Sequence, residues 1–161
     1  MATFTSTRRD VADVPHPVDA VWGLLADPAA VARMTPMVAS IDVDDRGRWV
    51  WCLQRVPLPG HRLDLTMVEE MTFTPQTRID FTHGPLGGDR GRAGAEGHYV
   101  LEPVADGTRL EIELTVSADL PIPGLARRAV ETAMHQVLNQ MGNRFAANML
   151  RELGSRDTGA R

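Results

Sequence analysis

Glu69 and His83 are the two side chains whose types and spacing best suit moving a proton. Residues His61 to Thr74 read as one long strand. Leu63, Leu65, Met67, Glu69, Met71 and Phe73 fall on one side, and the mostly polar Arg62, Asp64, Thr66, Val68, Glu70, Thr72 and Thr74 on the other. Side chains alternate across a strand, so the apolar row faces a core and carries Glu69 into it. A carboxylate there takes a partner or keeps a proton, because burying an unpaired charge is costly. Pro75-Gln76-Thr77 predicts a three-residue hairpin loop returning as Arg78 to His83. That register sets Phe73 opposite Ile79, Met71 opposite Phe81 and Glu69 opposite His83, with Cβ atoms about 4.5–5.5 Å apart. Such a pair would hold the imidazole in one tautomer for general acid–base work. Tyr99 is a further hydrogen-bond donor for the same chemistry. The same residues also fit a structural contact at a strand end, and a β-bulge would turn Glu69 outward.

Other chemistries find little footing. Cys52 is the single cysteine, and its apolar run suits a small core residue better than a nucleophile. His16, His61, His98 and His135 are scattered, with no close-spaced His/Asp/Glu set, so no metal site is expected. A serine nucleophile elbow and a dinucleotide fingerprint are both missing, and no cofactor is expected. The stretch GPLGGDRGRAG, residues 84–94, lacks the Lys-Ser/Thr ending of a phosphate loop; it suits a loop at a cavity mouth or a plain surface hairpin.

Among the eight methionines, Met34, Met37, Met67, Met71, Met134 and Met141 fall on predicted inner faces. Flexible thioethers adapt to an apolar guest, and they also fill ordinary cores. With Trp51, Leu65, Phe81, Leu114 and Val137, five of them (Met37, Met67, Met71, Met134 and Met141) make the candidate ligand-contacting set. Ala93, Ala95 and Gly97 lie on one alternation face and would either widen a cavity or permit a close strand crossing.

The elements that must position these residues follow from the same patterning. Thr3 to Val14 reads as a strand, stopped by Pro15-His16-Pro17. Val18, Val21, Trp22 and Leu25 have helical spacing. Asp27 caps a second short helix, Ala29 to Met34. Strands are expected at Met37 to Asp44, with Met37, Ala39, Ile41 and Val43 on one side, and at Arg48 to Val56. After the 61–74 and 78–83 strands come Gly91 to Pro103 and Thr108 to Asp119, joined at Ala105-Asp106-Gly107. The last of these turns Leu110, Ile112, Leu114, Val116 and Ala118 inward. A single helix runs from about residue 124 to Leu153, with Val130, Ala133, Met134, Val137, Met141, Phe145 and Met149 as its buried stripe and Gly154 as its stop. Residues 1–153 form one domain, and residues 154–161 a frayed tail.

The chain has 161 residues, enough for one domain with its own core, and a formal net charge of −4. No basic face is concentrated enough for nucleic acid. No stretch is long and apolar enough to span a bilayer, and MATFTSTRRDVADV has no signal-peptide core. A cytoplasmic monomer or homodimer is expected.

The order is one strand, two short helices, six strands and a long C-terminal helix. It resembles the START/Bet v 1-like (SRPBCC) superfamily, in its polyketide cyclase/dehydratase-like branch. The likeness is carried by Val14-Pro15-His16-Pro17-Val18-Asp19-Ala20-Val21-Trp22, Leu25-Ala26-Asp27-Pro28, Gly97-His98-Tyr99-Val100-Leu101-Glu102-Pro103 and Asp106-Gly107-Thr108-Arg109-Leu110. The resemblance implies an α+β helix-grip fold, a seven-stranded curved antiparallel sheet wrapped around the long helix with a cavity between them. It implies three roles on one scaffold. The first is binding of a small apolar ligand such as a lipid, polyketide or aromatic metabolite. The second is cofactor-independent cyclase/dehydratase chemistry, in which Glu69 and His83 would be acid and base and Tyr99 a donor. The third is service as an assembly or partner subunit of a larger enzyme.

Overall fold

Prolines and short polar side chains set the boundaries of the first elements. In the computed structural model, which describes residues 2–54, 56–58, 61–63, 66–84 and 93–159, strand β1 (Ala2–Val14) ends where Pro15 and Pro17 withdraw backbone donors. Helix α1 (Val18–Leu25) follows, and the Asp27 carboxylate accepts from the Ala29 N–H at 3.0 Å to open α2 (Pro28–Met34). The remaining strands are β2 (Val38–Val43), β3 (Trp49–Leu53), β4 (Val56–Leu58), β5 (His61–Leu63), β6 (Thr66–Thr74), β7 (Arg78–His83), β8 (Ala93–Val104) and β9 (Gly107–Leu120). A single turn of 3-10 helix at Gly124–Ala126 leads into α3 (Arg127–Gly159).

Seven strands form one antiparallel sheet in the order β1-β9-β8-β7-β6-β3-β2, as expected. Together with the two short helices after β1 and the long C-terminal helix, this is the helix-grip arrangement. The 61–74 segment differs from the single strand expected. Its first three residues, β5, pair with β4 in a separate two-stranded sheet, and only β6 joins the main sheet. Proline is tolerated in such an edge pair, which is why Pro57 sits in a strand rather than in a turn.

Two packed clusters occupy opposite ends of the concave face. The larger joins Val21, Leu24, Leu25, Val31 and Met34 of the short helices to Trp49, Ile79, Leu101, Leu110, Met149 and Leu153. The smaller joins Met67 to Ala93 and Ala95, with Trp51, Leu53, Leu114 and Val116 around them. The small side chains of β8 therefore serve a close crossing, the second of the two uses their alternation allowed.

Helix α3 is fixed chiefly to β1. Arg127 donates to the Thr3 carbonyl at 2.9 Å and stacks over Phe4 at 5.5 Å. Arg8 donates to the Leu138 and Asn139 carbonyls and, at 3.1 Å, to Asn143 Oδ1. A side chain at Gly142 would collide with that guanidinium. Farther on, Asn148 donates to the Met34 carbonyl at 2.9 Å and Arg33 forms a two-pronged pair with Glu152 at 3.1 Å. These anchors and buried Leu153 carry the helix past Gly154, which the sequence marked as its stop, to Gly159. A glycine inside a helix costs only about 1 kcal/mol and does not end it here. Among the described residues no helix is long and apolar enough to cross a membrane.

Candidate ligand-binding site

The β6–β7 hairpin has the register that a three-residue loop dictates. Gln76 takes the left-handed conformation at φ 59°, Thr74 pairs with Arg78, and Met71 and Glu69 lie opposite Phe81 and His83. Alternation does carry Glu69 inward: it is 3 % exposed. Its hydrogen-bond partner, however, is Trp51. The indole Nε1–H donates to Glu69 Oε2 at 2.8 Å from the neighbouring strand β3, whose Trp49 lies directly opposite Glu69.

His83 leaves the pair unformed. The β7–β8 ladder ends at Phe81–Gly97. Beyond it the imidazole, exposed to solvent, rests where Gly94 has no side chain; a Cβ there would lie 2.5 Å from His83 Nδ1. The ring contributes instead to an open pocket of about 300 Å³ shared with Thr3, Glu96, Thr115, Ser117 and Asp119. These residues alternate with the inward row, whereas Ala93, Ala95 and Ala118, which also line the pocket, belong to the inward side, so the pocket lies beyond the end of the β7–β8 ladder and takes residues of both faces.

Burial in apolar surroundings pushes the Glu69 carboxyl from an ordinary 4.5 up to about 8, the Trp51 hydrogen bond offsetting it only in part. Burial, helped by the nearby Glu69, also raises the Tyr99 phenol. The Tyr99 ring packs on Phe81 with centroids 5.4 Å apart, and its hydroxyl has no hydrogen-bond partner among the described residues. At neutral pH the site therefore holds a carboxylic acid and a phenol, both uncharged.

The raised Glu69 pKa has a consequence for folding. The folded chain holds this proton more tightly than the unfolded chain, so stability falls as pH rises from about 4.5 to about 8 and then levels off. The loss across that window should amount to a few kcal/mol. Glu69→Gln cannot ionise, so its melting temperature relative to wild type should climb through the window. A difference that stays constant with pH would show Glu69 to be ordinarily ionised.

The other predicted contact residues divide into three groups. Trp51, Met71, Tyr99 and Leu114 are half-buried against the two clusters, and Met134 and Met141 are half-buried on α3. Met67 and Phe81 are buried, at 9 % and 3 % exposure. Met37 and Val137 lie elsewhere. A bulge between Val38 and Ser40 inverts the parity of β2, burying Val38 and Ile41 and leaving Met37, at φ 67°, 41 % exposed. Met37 lines a surface groove of about 510 Å³ between α2 and β2. Val137 is 47 % exposed; the neighbouring Leu138, at 6 %, takes the inward position that the sequence assigned to Val137. Leu65 lies outside the described residues.

At 100° per residue, Asn139 and Gly142 lie on the side of Leu138 that meets Arg8, and Met134 and Met141 on the other side, over the sheet. The backbone of helix α3 comes closest to β1, α1 and α2, and its C-terminal half joins the packed cluster of Ile79, Leu101 and Leu110 through Phe145, Met149 and Leu153. The inward row Ile112, Leu114 and Val116 stays half-buried. Neither pocket named above is lined by these three residues. The strands at this end lead into residues 64–65 and 85–92, outside the described residues.

On the convex face, β8 and β9 bring the ligand atoms of His98, Glu111 and Glu113 within 4.8 Å of one another, a grouping that no local spacing announces. Arg9 holds Glu111 there at 2.7 Å.

Residues 1–149 match the family model described as polyketide cyclase/dehydrase and lipid transport. The chain belongs to that family. No functionally curated protein matches it. Solved structures extend the likeness to known folds. A conserved protein from Geobacillus kaustophilus superposes with TM-score 0.69 at 17 % identity, over 92 % of this chain and 95 % of its own. The di-domain ARO/CYC StfQ from the steffimycin biosynthetic pathway gives 0.69 at 17 %, over 96 % of this chain and 52 % of its own. The Zhui aromatase/cyclase from Streptomyces sp. R1128 gives 0.65 at 17 %, over 94 % and 95 %. At such identities it is the fold of this family member that is shared.

Proposed function

We propose that the protein binds a small apolar ligand, a lipid, polyketide or aromatic metabolite, between the sheet and α3. One observation carries the reading. Helix α3 comes closest to β1 and the short helices, its Met149 and Leu153 join the packed cluster at one end, and toward the other end the inward Leu114 and Val116 and the helix residues Met134 and Met141 keep accessible surface. In a filled core the same residues would be closed off, since interiors pack as densely as organic crystals. The family's description, which includes lipid transport, supports the same reading.

Cyclase or dehydrase chemistry is the second reading, favoured by the family and by an uncharged carboxyl beside Tyr99. Binding ranks above it because the base expected in the pair, His83, rests against Gly94, and the hydrogen-bond partner of Glu69 is Trp51 instead. The test is a titration with N-phenylnaphthylamine, a neutral apolar fluorophore. Saturable binding of one equivalent with a blue-shifted emission is expected, and a linear, unsaturable response would rule the site out.

A further inference from the structure

Resting on that reading, we infer that Glu69 makes the site selective for apolar ligands carrying a neutral carbonyl group, to which its carboxylic acid O–H donates a hydrogen bond. Trp49 and Trp51 on β3 supply apolar surface and one N–H; His83 on β7 has swung out to Gly94; Tyr99 on β8 is uncharged; Met134 and Met141 are the flank of α3 turned toward the sheet. No cation among these balances a carboxylate, so the group keeps its proton.

The Trp51 N–H fixes which oxygen does what. Oε2 accepts that bond at 2.8 Å and acts as the carbonyl oxygen of the acid, which leaves the hydroxyl on Oε1. Oε1 has no partner among the described residues, yet it is not among the fully enclosed unpaired atoms, so it borders open space. A buried donor left without an acceptor is destabilising, and a ligand carbonyl relieves that penalty. A ligand carboxylate would have to shed its own hydration in an apolar space without meeting a cation, and a hydrocarbon would leave the O–H unmet. Ketones, esters and amides remain.

Selectivity of this kind is tied to pH. Ionised Glu69 has no proton to donate and repels a carbonyl oxygen, so affinity for a carbonyl ligand holds steady below about pH 8 and falls above it, approaching tenfold per pH unit. The experiment compares Prodan, a neutral naphthyl ketone, with N-phenylnaphthylamine, which has no carbonyl, across pH 6.5–9.5 (roughly the range spanning the titration). In wild type, Prodan affinity should fall above pH 8 while that of N-phenylnaphthylamine stays level. Glu69→Gln keeps a donor and should bind Prodan without the pH dependence, whereas Glu69→Leu should lose at least tenfold of Prodan affinity and none for the amine. If both fluorophores bind and respond alike to pH and to substitution, selection by Glu69 is overturned and the binding site stands. If neither binds in wild type, the site itself is refuted.

Discussion

Leu114→Trp should abolish saturable binding of N-phenylnaphthylamine and leave the melting temperature within a few degrees of wild type. Leu114 faces inward at the middle of β9, opposite Gly97 on one side and Arg8 on the other, and stays half-buried beneath α3. An indole placed there occupies the volume the ligand would take, and its apolar surface repays the crowding. In a solidly packed interior, overpacking costs about 1–3 kcal/mol. Thermal unfolding and fluorophore titration of the same sample therefore separate the two cases. A variant that folds stably and no longer binds locates the site, whereas one that unfolds without warning would mean that no space lay beneath the helix.

Gly97→Ala should be among the most damaging single-methyl changes in the sheet, at roughly 3 kcal/mol or more in urea denaturation. The added Cβ would land on the Glu113 carbonyl oxygen, with the Glu113 carbon at 2.9 Å and Leu114 Cα at 3.1 Å. All three are backbone atoms of the paired strand, so no side chain can rotate away and β8 must part from β9 midway along its ladder. Ligand binding should fall with stability, because Leu114 is the residue opposite. A variant within about 1 kcal/mol of wild type, a typical surface change, would show that the two strands are less closely apposed than this.

How far the sequence could be read depended on the range of the interactions. The β6–β7 hairpin was legible to the residue, because period-two alternation and a three-residue loop are local, and together they place Glu69 opposite His83. Trp51 as the partner of Glu69 was not. It depends on β3 pairing with β6 across an intervening hairpin, and no local rule fixes that register. The remaining hint, that a buried indole needs an acceptor, points to a need without naming its partner. His83 was misplaced because a ladder register sets backbone pairs and does not say where the ladder stops. Met37 was lost to one bulged residue, which reverses the assignment of face before it while Ile41 beyond it keeps the expected one. Val137 and Leu138 both fit the apolar recurrence of α3, and only the Arg8 contact to one side of the helix decides between them. The helix end was missed because the contacts that carry it past Gly154 come from α2, far away in sequence.

The most direct test of an apolar site beneath α3 uses the methionines themselves. In a spectrum of protein labelled with ¹³C at the methionine methyl groups, titration with N-phenylnaphthylamine should shift Met134 and Met141 on the helix and Met71 on the sheet. Buried Met34 and Met149, in the packed cluster, should hold still, as should Met37 in the α2–β2 groove. Shifts confined to Met37, or no methionine shifts at saturating fluorophore, would contradict the account.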